Sequence, residues 1–175
     1  MALIGDLLRE FKPSTWSTEN YASKKFVRIP LDIEAVECTA IKNEFIRHYC
    51  AKYKIVAIER IQAPFLYMRC QLHRTHYKMK NGPYIDVSES WEFAFVQESK
   101  VDEFIQYNGD ERRVPSLCYL YLPSANIPTC AIAKKVLHPC LLRDSNGYPD
   151  YIIHFEKTKP ADEIANSLSR LTLRM

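Results

Sequence analysis

Glycine is nearly missing from this chain. There are four, Gly5, Gly82, Gly109 and Gly147, and no two are neighbours, where average usage would give about a dozen. A glycine-rich turn that cradles phosphates needs two or three glycines within six residues, so the P-loop, the kinase loop and the Rossmann fingerprint are all excluded. The 175 residues fit one domain, and 47% apolar with 26% charged residues allow a sizeable core. A net charge of +3 is too small to argue for nucleic acid by itself.

The six cysteines (Cys38, Cys50, Cys70, Cys118, Cys130 and Cys140) lie at least ten residues apart. No CxxC pair occurs, so the spacing argues against a zinc site and for reduced thiols in an intracellular protein, nuclear or cytoplasmic. Asp6, Arg9 and Glu10 interrupt the apolar N-terminus before a signal-type hydrophobic region is complete. No run reaches the roughly 18 apolar residues of a membrane helix, and no membrane role is expected.

The pattern predicts an α+β domain over 1–175, with a core at about 26–155 and short extra helices at about 2–11 and 160–173. Residues 14–30 read as irregular. Asp32 reads as the N-cap of a helix over 33–52, with Cys38, Ile41, Phe45 and Tyr49 on one stripe. Residues 54–61 are β-branched and strand-like. Pro64 suits the first turn of a helix to about His76, because proline there loses no intrahelical donor. Asn81-Gly82-Pro83 marks a turn, and 91–96 a strand. Ser99-Lys100-Val101-Asp102 resembles a capping box for a helix ending at Asn108-Gly109. Further strands are expected at 117–122, 131–137 and 150–155.

Several blocks, in order, resemble the catalytic domain of the poly(ADP-ribose) polymerase and ADP-ribosyltransferase family. PSTW at 13–16 and FVRIPLD at 26–32 are similar to its opening segment. IERIQAPFLYMRC at 58–70 is similar to its IxRIQN-x-x-LW-x-x-Y block, with Ala63, Tyr67 and Cys70 in place of Asn, Trp and Tyr. VSESWEFAFVQESKVDEFI at 87–105 aligns without a gap to VNE-x-x-LFHGT and the VD-x-I that follows, then Asn108, Asp110 and Arg112 to N-F-D-x-R. LLRDSNGYPDYIIHF at 141–155 resembles the closing strands. The resemblance implies a split antiparallel β-sheet core with flanking helices.

It also implies where NAD would sit, and those are the positions that depart. The family's His-Gly-Thr is here Ala94, Phe95 and Val96. Alanine offers no donor to the ribose, and a phenyl ring stands where the glycine backbone clamps nicotinamide. The stacking tyrosine of the second motif has Tyr119 as its best counterpart, without the flanking glycines. The third catalytic position falls near Pro139. Transfer of ADP-ribose needs a strained cofactor pose and charge stabilised at the ribose. The expectation is therefore a pseudoenzyme with no catalytic residues, no cofactor and no metal, acting as a protein-interaction scaffold in an intracellular assembly of the silencing or antiviral kind. The alternative within the family is a divergent NAD-dependent mono-ADP-ribosyltransferase.

Two other features suggest binding. Arg69, Arg74, Lys78 and Lys80 lie in a stretch free of acidic residues from Arg60 to Asp86, with His73, His76, Tyr77 and Tyr84 among them. Cations interleaved with rings can follow single-stranded RNA, or can simply be the solvated end of a helix. His73 and His76 share a helical face, and His138 falls by alignment in the former catalytic cleft near Phe95. The terminal helices carry narrow apolar stripes, with Leu7 and Phe11 in one and Leu168 and Leu171 in the other. These either dock on their own domain or enter a partner's groove.

Overall fold

Alternation decides the architecture. In 88–96 the odd positions Trp91, Phe93 and Phe95 are large and aromatic, and Val96 is the largest apolar side chain on the other face. A strand with apolar groups on both faces has to be covered on both. The computed structural model describes residues 12–17, 25–49, 53–82, 84, 86–110, 113, 130–138 and 147–158. Five strands, β1 (Val27–Leu31), β2 (Tyr53–Gln62), β3 (Ser88–Val96), β4 (Cys130–His138) and β5 (Gly147–Lys157), form one antiparallel sheet in the order β1-β2-β5-β4-β3. Three helices complete the described fold: α1 (Val36–Tyr49), α2 (Pro64–Asn81) and α3 (Val101–Tyr107), the last entered through a 3-10 turn at Glu98–Lys100. The α+β class expected from the sequence is the class observed.

One face of the sheet carries Ile58, Phe93, Phe95, Tyr151, Ile153 and Phe155, and α1 lays Cys38, Ile41 and Phe45 across it. Further along the same face, by register, come Leu137 and Tyr148, which pack with Cys70 and Tyr67 of α2. The opposite face, with Ile61, Val96, Cys130, Ile132 and Ile152, is closed by Val101, Phe104 and Ile105 of α3. Tyr148 to Ile153 are buried without a break, because β5 is central and covered on both sides. Two glycines answer to geometry. A Cβ at Gly147 would meet the Lys135 carbonyl oxygen at 2.5 Å, and one at Gly109 (φ +69°) would meet the Phe104 ring at 2.7 Å. Asn108 precedes it at φ 56°, a left-handed stop for α3 that asparagine tolerates.

Several local expectations need correction. Residues 27–30, read as irregular, belong to β1; Pro30 is tolerated there because β1 is an edge strand. Asp32 does not cap α1, which starts four residues later; its carboxylate accepts from the Glu34 N–H at 3.0 Å in a preceding turn. Ser99 does not cap α3, whose N-cap is Lys100 without a side-chain bond. α2 runs five residues beyond His76, to Asn81, before Gly82 ends it. The strand expected at 117–122 and the terminal helices at 2–11 and 160–173 lie outside the described residues, as do Cys50, Cys118 and Cys140.

Candidate functional site

Ala94, Phe95 and Val96 sit at the end of β3, opposite Ile132, Ala131 and Cys130 of β4. Strand alternation sends Phe95 under α1, where it is fully buried. Its ring meets Tyr49 edge-on at 4.9 Å and Phe155 edge-on at 5.6 Å. Ala94 and Val96 point the other way, into the layer beneath α3. These three side chains contribute no polar group, and the ring at 95 is a core ring. Tyr119, Pro139, Leu7, Phe11, Leu168 and Leu171 lie outside the described residues.

His138 is not near Phe95. It pairs with Ser88 at the far end of the β3–β4 ladder, seven residues from the Phe95–Ala131 pair, or about 23 Å of strand. The register corrects the expectation that the two share a cleft. His138 Nε2 lies 2.8 Å from the Ser90 hydroxyl. Among the described residues no carboxylate orients its other ring nitrogen to complete an activated nucleophile.

The polar ground lies between α2 and the sheet. A β-bulge in β5 falls between the pairs Ala133↔Tyr151 and Lys134↔Pro149, and Asp150 is the extra residue. Its carboxylate is buried, accepts from the Trp91 indole N–H at 3.1 Å, and has Lys135 Nζ at 3.7 Å. Burial pushes the Asp150 carboxyl above its ordinary range against the pull of Lys135. Beside it Arg60 makes a forked ion pair to Glu37 at 2.9 and 2.7 Å, and the Tyr151 hydroxyl donates to the same carboxylate at 3.0 Å. Arg74 reaches Glu89 at 2.7 Å, with Lys135 3.5 Å from its other oxygen. Trp16, buried and tilted 5.2 Å from Tyr67, closes the top. Trp16, Arg60, Tyr67, Arg74, Glu89, Lys135, Asp150 and Tyr151 line a cavity of about 270 Å³. Two buried donors, Arg60 Nε and Gln62 Nε2, have no hydrogen-bond partner among the described residues. The cavity can hold a small polar or anionic group; its described lining presents no activated nucleophile.

A second charged constellation joins β1, β2, β5 and the turn before α3. Arg28 forks onto Glu59 at 2.9 and 2.7 Å and touches Glu98 at 3.1 Å and Asp102 at 3.2 Å. His154 bridges Glu59 at 2.7 Å and Glu98 at 3.2 Å. Arg28 holds the Glu59 carboxyl below its usual range. Glu59, Glu98 and His154 each bring a ligand atom within 4.8 Å of the others, a metal-like set that sequence spacing could not reveal because it comes from three elements. The Arg28 guanidinium already occupies both Glu59 oxygens, so a cation there would compete with a fixed positive charge. The described thiols Cys38, Cys70 and Cys130 are buried, and burial pushes Cys130 up to about 12, which makes it inert as a nucleophile.

The four basic residues all lie on α2, but not on one side. Helical spacing puts Arg69 and Lys80 on one flank and Arg74 and Lys78 on the other, and Arg74 is engaged by Glu89. Among the described residues no helix is long and apolar enough to cross a membrane. No protein-family model matches this chain, and no curated protein does either.

Proposed function

We propose that this chain is an ADP-ribosyltransferase-like domain without transferase activity, which works by binding a protein partner in a nuclear or cytoplasmic assembly. The ordered blocks over about 26–112 and 131–155 support the family, and with it an ADP-ribosyltransferase-like arrangement of the sheet. The single observation that carries the loss of activity is Phe95. At the position where a glycine backbone would clamp nicotinamide, a ring is locked between Tyr49 and Phe155 in the core. Such a ring cannot swing aside for a cofactor without emptying the centre of the domain. Ala94 adds the loss of a ribose donor.

The test is calorimetry and thermal shift with NAD at millimolar concentration. No heat and no change in Tm are expected. A stabilisation approaching the roughly 2.7 kcal/mol of a ligand at 100 times its Kd would overturn the reading in favour of a divergent transferase.

A further inference from the structure

Among the described residues, α2 is covered on one side only. Leu66, Cys70 and Tyr77 face the sheet, whereas Phe65, Leu72 and Met79 remain 59%, 66% and 81% exposed. Those three are spaced by seven, and a spacing of seven holds one stripe of a helix with about 20° of drift per repeat. Written as a heptad, Phe65, Leu72 and Met79 take position a, and Met68 and Thr75 take position d. Arg69 and His76 fall at e, and Gln71 and Lys78 at g. The seam is about 21 Å long at 1.5 Å per residue.

Charge selects the occupant. The 18 residues of α2 include four Lys or Arg and no Asp or Glu. A second copy of this helix would bring cations against cations. A single-stranded RNA needs rings to stack on and cations along one track, but the seam holds one aromatic, Phe65, and its cations are divided between two flanks. What complements an apolar seam edged by His76 and Lys78, on a helix with no acidic residue, is a helix with apolar a and d positions and Glu or Asp at e and g.

We propose that the outward face of α2 docks an acidic amphipathic helix of a partner protein in a short two-stranded coil seeded by Phe65, Leu72 and Met79. The proposal rests on the reading of the domain as a binding module and names the class of its partner.

The experiment uses the full chain and two fluorescent 21-residue helical peptides, both with Leu at a and d, one with Glu at every e and g and the other with Lys. The Glu peptide should bind at least about tenfold more tightly than the Lys peptide. Leu72→Glu and Met79→Glu should each remove that binding, and Lys78→Glu should weaken it and reduce its salt dependence. Both apolar sites are largely exposed, so these variants should keep the wild-type Tm. If either unfolds instead, the charge-swapped peptides on the unmutated chain still decide. Equal binding of the two peptides, or none, overturns the proposal. So does a chain that dimerises through α2 in sedimentation, or one that binds single-stranded RNA or anionic vesicles in preference to the Glu peptide. NAD titration of the same sample reports separately on the transferase reading, so the two failures cannot be confused.

Discussion

Phe95→Ala tests the packing on which the functional reading depends. The ring is fully buried, and its neighbours across the ladder and beneath α1 include Ala131 and Ala133, too short to collapse into the space it would leave. Phe→Ala in a core costs about 3–5 kcal/mol, the upper part of that range applying where the cavity cannot close. Two edge-on partners, Tyr49 and Phe155, lose their contact at the same time. We therefore expect a loss of about 4–5 kcal/mol, a large share of a domain's usual 5–15 kcal/mol. At 2–4 °C per kcal/mol for a chain of this length, Tm should fall by roughly 8–20 °C. Urea unfolding followed by far-ultraviolet circular dichroism gives the free energy directly. A loss below about 1 kcal/mol would mean the ring is not locked in the core, and the case against a nicotinamide pocket would lose its basis. The double variant Ala94→His with Phe95→Gly should fold less stably still and bind no NAD; recovery of binding would refute the same argument from the other side.

Two carboxylates should shape the pH dependence in opposite directions. Glu59 is held low by Arg28, so its stabilisation is present above the unfolded value of about 4.3 and lost as pH falls through its lower folded value. Glu59→Gln should cost about 1–3 kcal/mol at neutral pH and converge with wild type in acid, read from urea midpoints across pH. Asp150 is raised by burial, so it favours the fold below about pH 4 and opposes it as pH rises toward its folded value. Asp150→Asn keeps an acceptor for the Trp91 indole and should remove that decline, with equal or greater stability at pH 7; a large loss there would show that the charge pair with Lys135 outweighs desolvation. Gly147→Ala should destabilise by about 1–3 kcal/mol, since its Cβ would press on the Lys135 carbonyl and only backbone movement can relieve it; an unchanged Tm would contradict that geometry.

Periodic elements were legible in the sequence, and long-range ones were not. The α1 stripe of Cys38, Ile41 and Phe45 is buried as its spacing predicts, and β2, β3, β4 and β5 fall where β-branched and aromatic residues cluster. β1 escaped because Pro30 disguises an edge strand. The N-cap at Asp32 and the capping box at Ser99 failed because the backbone enters each helix through a turn that neither signal specifies. The network around Arg28 draws on residues 28, 59, 98, 102 and 154, and nothing local links them. The position of Asp150 depends on one bulge, and the separation of His138 from Phe95 depends on register. Neither is written in composition or motif. The outward stripe of α2 is distinguished from its core side only by its burial pattern.

The last strand of the sheet in chain order lies at its centre. β1 and β2 can pair early, and β3 and β4 can pair later, but among the described strands only β5 joins the two ladders. Until residues 147–157 emerge from the ribosome, β2 and β4 each keep an open edge, and those edges include Ile55, Val56, Ile58, Ala131 and Ile132. At synthesis rates of about 5–20 residues per second, the β2 edge waits roughly 5–20 s for its neighbour. Unpaired apolar edges recruit other chains during such a delay. A nascent chain of this kind therefore needs protection until its final strand arrives, and one terminated before Gly147 should enter aggregates as two unjoined ladders.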